Sequence, residues 1–427
     1  MKEQTFSSEF PWAAAKPAPR HHQLARRLVL AKLKRLARGQ LVLLEQGGRM
    51  VFGTSHPSLP VTPVVVVNDP ALYARVAWRG TIGAGEAYME SLFDCRELTA
   101  LMQLFALNRE AMADLEGGTG WVRRGLDLVW HRLRGHDRRG SRRNIAAHYD
   151  LGNDFFSTFL DREAMMYSMA VFPHAEATLE AASRHKLELL CQKLDLRPGH
   201  HLLEIGTGWG GLAIHAARHH GCRVTTATIS PAQHAHAQAQ VRQAGLEDRV
   251  TVLLRDYRDL QGQYDRLVSV EMIEAIGHRQ YGVFFATCAR LLKPDGRMVL
   301  QAITIDDRLY EQARRTVDFI QRYIFPGGCL PSLGVLCATA GAHSDLAVQQ
   351  VQEYGLHYAT TLRHWRTRLH DQWARLRHMG YGETFLRMWD FYFAYCEGGF
   401  LTRTTGTVQM VLTRPEAAPC APGGMHG

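Results

Sequence analysis

The sequence predicts an α/β protein: a doubly wound sheet in its C-terminal part, preceded by a smaller α+β domain. Two observations carry this. After Asn144, short apolar and β-branched runs alternate with helical stretches, the pattern of a sheet wound by its crossover helices. One of those runs leads straight into a glycine-rich turn and then a helix, at His201-Leu-Leu-Glu-Ile-Gly-Thr-Gly-Trp-Gly-Gly211. With 427 residues, 46% hydrophobic and 21% charged, the chain is long enough for two or three domains and has the composition of a globular protein.

The elements follow in order. Residues 1–23 are rich in proline and alanine and read as a loose tail. From Leu24 to Leu36, Ala25, Leu28, Val29, Leu33 and Leu36 recur at helical spacing, with Arg26, Arg27, Lys34 and Arg35 mostly elsewhere: a basic amphipathic helix. Gln40 to Glu45 and Thr62 to Val67 read as strands, separated by Gly47-Gly48 and the HPSLP turn, and Glu97 to Met112 as a helix. These make a small domain over 24–118. The arginine-rich stretch 119–144, with Trp121 and Trp130, reads either as a basic helix resting on anionic head groups or as a solvated connector.

The larger domain spans 145–415, and 416–427 is a second tail. Its strands are expected at His201–Ile205, Arg223–Thr228, Val250–Leu254, Tyr264–Val270 and Arg297–Ile303. Helices are expected at Thr178–Leu194, Leu212–His219, Pro231–Ala244 and Tyr281–Leu292.

The glycine turn is a ligand site, because glycine lets backbone approach a ligand closely and tolerates positive φ. A dinucleotide fingerprint alone is a weak signal, and the surroundings decide the ligand. Glu204, just before Gly206, suits a positively charged amino-acid end and repels a pyrophosphate. Gly208 and Gly210 continue the turn, Thr228 and Gln233 stand at the end of the next strand, and Asp256-Tyr257 at the end of the third. There an acid can accept from an adenine amino group and an aromatic ring can cover it. Together they describe a cleft at the carboxyl ends of parallel strands, read as the S-adenosylmethionine site of a class I methyltransferase with a Rossmann-like sheet.

Composition bounds the rest. No apolar run approaches the roughly 18 residues of a membrane span, and the N-terminus lacks a signal-like apolar core, so a cytoplasmic protein is expected. A net charge of +9 favours anionic partners: nucleic acid, an anionic membrane surface or acidic substrates. The eight cysteines form no CxxC pair and are expected as thiols. His215, His219 and His220 suggest a metal, but no carboxylate or cysteine completes a site at sequence spacing, so they read as solvated helix faces and no metal is expected.

Eight ordered blocks resemble the cyclopropane-fatty-acyl-phospholipid synthase family: HYDLGNDFF (His148–Phe156), Tyr167-Ser168, LEIGTGWGG, TISPAQ, RDYRDL, SVEMIEAIG, YIFPGGCLPS (Tyr323–Ser332) and HYATTLRHW (His357–Trp365). The resemblance covers about 145–415 strongly and the N-terminal domain weakly. It implies transfer of a methylene unit from S-adenosylmethionine to the double bond of an unsaturated acyl chain in a membrane phospholipid. Tyr167, Ser168, Gly206, Gly208, Thr228, Gln233, Asp256 and Tyr257 would contact the cofactor, and the small domain would help present lipid. Aromatic side chains between Phe319 and Phe400 can stabilise the carbocation.

Ring closure needs a base, and the resemblance implies a bound bicarbonate in that role. Glu274 and Tyr358 match its ligands, and Ile303 matches a backbone contributor. Two positions depart: Met169 stands where the family has cysteine, and Gln301 where it has histidine. Cys396 matches a cysteine suggested as functional, and it also suits a structural role. The expected partners are an unsaturated phospholipid and an anionic membrane surface on the inner face of the membrane, with a homodimer open and no nucleic acid. Three alternatives stand beside the cyclopropane synthase: a fatty-acyl C-methyltransferase leaving a methylated alkene, a lipid binder on an inactive methyltransferase fold, and a nucleic-acid methyltransferase.

Overall fold

The computed structural model describes residues 20–112 and 152–417. The basic stretch 119–144, both predicted tails beyond these bounds and the HYDL end of the first family block lie outside the described residues. The chain forms two compact units, Met1–Arg123 with Met379–Gly398, and Arg124–His378 with Gly399–Gly427.

In the first unit, α1 (Arg20–Leu33) is followed by β1 (Gly39–Glu45), β2 (Gly48–Thr54), β3 (Val64–Val67), α2 (Ala71–Met89), β4 (Phe93–Cys95) and α3 (Leu98–Leu107). The strands form one mixed sheet in the order β2-β1-β3-β4. Sequence reading took Gly47-Gly48 as a spacer and missed β2. The two residues Gln46 and Gly47, both at positive φ (48° and 77°), instead make a tight hairpin that pairs Glu45 with Gly48. Ala25, Val29, Leu33 and Leu36 are buried as expected, whereas Leu28 is 43% exposed. It lies about a quarter-turn round from the centre of their stripe, since each residue advances about 100°. The segment Met379–Gly398 also belongs here, unlike the sequence boundary, which placed it in the large domain. Tyr88 donates its hydroxyl to Asp390 at 2.5 Å, and Thr99 donates to Glu397 at 2.7 Å.

The second unit contains α4 (Asn153–Phe156), α5 (Leu179–Lys193), β5 (His201–Ile205), α6 (Gly211–His220), β6 (Arg223–Thr228), α7 (Pro231–Gln243), β7 (Val250–Leu254), β8 (Tyr264–Val270), α8 (Tyr281–Leu291), β9 (Leu292–Ile305), α9 (Asp307–Ala313), α10 (Phe319–Tyr323), α11 (Leu333–His343), β10 (Ala347–Glu353), α12 (Gly355–Asp371) and α13 (Trp373–His378). Helix α14 (Glu383–Leu401) runs from one unit to the other, and β11 (Thr405–Thr413) completes the sheet. The strand order is β10-β11-β9-β8-β5-β6-β7, with β5 to β9 mutually parallel and β11 antiparallel to both its neighbours.

Alternation along the strands builds two cores. Leu203, Leu267, Met298, Leu300 and Met410 face α8 and α11. Their neighbours Leu202, Val268, Val299 and Val411 face α5, α6 and α7. The chain turns outward in opposite directions after β5 and after β8, so a crevice opens between those two strands at their carboxyl ends, where open α/β sheets bind ligands.

Candidate active site

The glycine turn sits at the end of β5. Gly206 (φ 105°), Gly208 (φ 53°) and Gly210 (φ 92°) occupy backbone conformations that disfavour side chains. A Cβ on Gly210 would stand 3.2 Å from the Ala237 Cβ, so a side chain there would press α6 against α7. The backbone N–H groups of Gly206 and Thr207 both donate to the Ala227 carbonyl, tying the turn to β6. Asn153 accepts from the Trp209 indole at 2.8 Å, which holds α4 against the turn.

Around this turn the expected cofactor residues gather. Glu204 is 3% exposed and one carboxylate oxygen has no partner. Burial pushes its carboxyl up to about 8, against a hydrogen bond from Thr226 and the charge of Lys186. Thr228 donates its hydroxyl to Gln233 at 2.9 Å, and Ser230 caps the helix carrying Gln233. Asp256 is 4% exposed and takes three hydrogen bonds from Arg258, from the backbone N–H and two guanidinium nitrogens. Tyr257 packs against Phe284 in a T-shaped arrangement with centroids 5.8 Å apart, which anchors it at the edge of the core. The glycine cradle and the unpartnered buried oxygen of Glu204 fit S-adenosylmethionine, whose amino-acid end brings a cation to that carboxylate.

Tyr167 lies in an aromatic cluster, with ring centroids 5.2 Å from Phe156 and 5.4 Å from Trp365. Ser168 accepts a 2.9 Å hydrogen bond from Lys186, which is wholly buried and whose ammonium burial pulls down to about 8. Lys186 escaped the sequence reading because a lone lysine on a helix is ordinarily a solvated residue.

The residues assigned to the base site converge on a group the sequence reading did not single out, Glu271. Its Oε1 accepts from the Met169 backbone N–H at 3.0 Å and from Gln301 Nε2 at 2.7 Å, and its Oε2 accepts from the Tyr358 hydroxyl at 2.8 Å. Gln301 is oriented for this by accepting from Gln409 Nε2 at 2.9 Å, while Gln409 accepts from Lys193. Tyr358 is held by stacking on Phe400 at 4.5 Å. Glu271 itself stands at φ 50°, a left-handed conformation that costs a non-glycine residue roughly 1–2 kcal/mol. Burial raises its carboxyl above the ordinary range, against the hydrogen bonds from Gln301, Tyr358 and Met169 and the charge of Lys186.

Glu274 lies on the next turn. One oxygen accepts from the Ile303 backbone N–H and the other is buried without a partner. Burial, with the nearby Glu271 charge, pushes its carboxyl up to about 8. Burial raises both carboxyls, and the three donors on Glu271 favour its charged form over that of Glu274. The Cys329 N–H, in the YIFPGGCLPS segment, donates to the Glu274 carbonyl at 2.8 Å.

This arrangement does not fit a bicarbonate. Met169 N, Gln301 Nε2 and Tyr358 Oη are bonded to Glu271, and Ile303 N to Glu274. A bicarbonate would have to take from Glu271 the donors it already holds in this desolvated site. The thioether of Met169 is likewise not a substitute ligand: its side chain is fully buried and its backbone N–H makes the contact. Cys396 lies in the Met379–Gly398 segment of the first unit and is half-buried.

Comparison with known proteins shows the family. The mycolic acid cyclopropane synthetase family matches residues 136–410. A tuberculostearic acid methyltransferase of Mycobacterium tuberculosis is 37% identical over 412 residues, covering 94% of this chain and 95% of the relative. The cyclopropane-fatty-acyl-phospholipid synthase of Escherichia coli K12 is 36% identical, covering 87% of this chain and 92% of its own length. A crystal structure of a mycolic acid cyclopropane synthase complexed with SAH and CTAB superposes with a TM-score of 0.60 at 33% identity, over 64% of this chain and 98% of that one. With its cofactor cleft at the β5 turn, this chain belongs to the mycolic acid cyclopropane synthetase family of S-adenosylmethionine-dependent methyltransferases.

Proposed function

We propose that the enzyme adds a methylene unit to the double bond of an unsaturated acyl chain in a membrane phospholipid and closes a cyclopropane ring, with Glu271 as the proton acceptor. The observation that carries this reading is the Glu271 carboxylate, desolvated and aligned by donors from Met169, Gln301 and Tyr358. S-adenosylmethionine supplies the electrophilic methyl group. An isolated alkene is a weak nucleophile, so the pocket must hold it in near-attack geometry. Attack leaves a carbocation on the acyl chain, which the aromatic faces around Tyr167 and Trp365 stabilise in the absence of water.

Ring closure then requires the transferred carbon to lose a proton. Glu271 Oε1 already accepts two hydrogen bonds and Oε2 only the one from Tyr358, so the proton goes to a free lone pair of Oε2. Neutral Glu274 keeps a second negative charge out of the site, and Gln301 and Tyr358 set the orientation of the base. The proposed steps use no thiol, so they assign no role to Cys396.

Access to phospholipid is supported by the first unit. Leu24, Leu28 and Val51 are 53%, 43% and 42% exposed. Leu24 and Leu28 lie on α1, and Val51 lines, with Arg27, Leu30, Lys34 and Phe52, a groove between α1 and β2. Exposed apolar side chains ringed by cations suit a peripheral contact with an anionic membrane surface. Among the described residues no helix is long and apolar enough to cross a membrane.

A second reading, a methylated alkene without ring closure, is favoured by one observation: the 37%-identical relative that spans 94% of the chain is named a methyltransferase. Incubation of the pure enzyme with S-adenosylmethionine and vesicles of monounsaturated anionic phospholipid, followed by ozonolysis, separates the two. Acyl chains that carry the extra carbon and resist ozone support the ring. Chains that carry it and cleave establish the methylated alkene instead.

A further inference from the structure

Away from the cofactor crevice, α5 and α6 bring a thiol, two imidazoles and a carboxylate to one place. Glu188 and Cys191 lie three residues apart on α5, and so on one face of it. His215 lies within α6, and His220 is its last residue, where the left-handed Gly221 ends the helix. Donor atoms of Cys191, His215 and His220 all lie within 4.8 Å of one another. One oxygen of Glu188 stands 3.2 Å from the Nε2 of His215 and 3.2 Å from that of His220. The sequence reading set the histidines aside because no cysteine or carboxylate accompanied them at ligand spacing. The fold supplies both, from the preceding helix.

We propose that Glu188, Cys191, His215 and His220 form a binding site for a zinc-class divalent cation that fastens α5 to α6. The donor set decides the class of ion: thiolate and imidazole suit zinc and its cobalt analogue, whereas magnesium and calcium take oxygen. Tetrahedral bonds of about 2.0–2.3 Å put neighbouring donors about 3.3–3.7 Å apart, so the Cys191, His215 and His220 donors close on an ion with side-chain shifts of about 1 Å, and Glu188, already in contact with both imidazoles, supplies the fourth. Charge balances too. The ion's two positive charges meet the Glu188 carboxylate and the Cys191 thiolate, with the thiol proton released to solvent.

Neighbouring groups favour this use. Gln192 donates to the second oxygen of Glu188 at 3.0 Å and leaves the first to face the imidazoles, as outer partners of metal ligands do. Cys191 is completely buried, with no access for solvent oxidants. The fastened helices also serve the active site: α6 begins at the glycine turn, and α5 carries the Lys186 that holds Ser168. The ion is therefore structural and stands apart from the chemistry at Glu271.

Cobalt titration of the tag-free full chain, after dialysis against chelator, tests the site. One equivalent of Co²⁺ is expected to bind with intense tetrahedral visible bands and a near-ultraviolet thiolate charge-transfer band. Zn²⁺ at about a hundred times its Kd is expected to raise Tm by about 5 °C. Cys191→Ser should lose the charge-transfer band. His220→Ala, at a more accessible position, should weaken Co²⁺ by at least the about 10–100-fold that outer-shell partners contribute. A weak six-coordinate cobalt spectrum without the thiolate band, or wild-type Co²⁺ affinity in His220→Ala, would overturn the proposal. Neither result bears on the methyltransferase reading.

Discussion

Replacing Glu271 by glycine separates a base built into the chain from one borrowed from solution. The substitution suits the backbone, because position 271 already adopts φ 50° and glycine removes a conformational cost of roughly 1–2 kcal/mol. What it takes away is the carboxylate, leaving Met169 N, Gln301 Nε2 and Tyr358 Oη without their acceptor. A positioned base contributes about 10²–10⁴-fold, so turnover in carbon-dioxide-free buffer is expected to fall by that factor, with the fold intact. The gap and its three donors then suit a small planar oxyanion, so added bicarbonate is expected to restore activity in Glu271→Gly by about tenfold or more. Wild-type turnover should ignore it. The assay is methyl transfer from radiolabelled S-adenosylmethionine into vesicle phospholipid, with and without bicarbonate. Wild-type stimulation by bicarbonate, or undiminished turnover of Glu271→Gly without it, would refute the assignment of the base.

Further expectations follow from the same geometry. Tyr358→Phe keeps the stacking on Phe400 but removes the hydrogen bond to Glu271. A hydrogen bond to a charged group is worth about 1.5–3 kcal/mol, so kcat should fall about 10–100-fold, and the acid limb of the pH–rate profile should move to higher pH because the charged base has lost a donor. Glu274 is neutral in the fold up to about 8, whereas in the unfolded chain it ionises near the usual carboxylate value. Its stabilising contribution is therefore complete at low pH and lost as pH rises through about 8. Glu274→Gln, neutral at every pH, should raise Tm relative to wild type near pH 8.5 and leave it unchanged near about pH 4, and scanning calorimetry across that range checks the sign. Gly210→Ala, forced against Ala237 at φ 92°, should abolish S-adenosylmethionine binding in calorimetric titration.

The sequence foretold the parts whose signal is local. The edges of β5, β6, β7 and β8 fall where apolar β-branched runs begin and end, and the glycine turn, Glu204 and the Thr228–Gln233 pair lie where spacing put them. Strand β10 was missed because Ala347–Glu353 is exposed throughout and carries no apolar alternation. Helix α2 was missed because Gly80, Gly83 and Gly85 interrupt its pattern, with a true break at Gly80 (φ 53°). Glu271 was in view inside SVEMIEAIG, but its donors lie 102, 30 and 87 residues away in sequence, and only the fold joins them. The signal available was a second carboxylate three residues before Glu274, close enough for two buried acids to share one proton. The zinc-class cluster was hidden for the same reason, since its halves come from two helices.

The central claim is that the transferred carbon becomes a ring methylene by losing a proton to Glu271. Its most direct test supplies S-adenosylmethionine bearing a fully deuterated methyl group to the wild-type enzyme with monounsaturated phospholipid vesicles and reads the product by mass spectrometry and proton NMR. The account predicts a cyclopropane carrying a CD2 unit, with the third deuteron lost to solvent. A product that retains an intact CD3 group on a branched chain would contradict it.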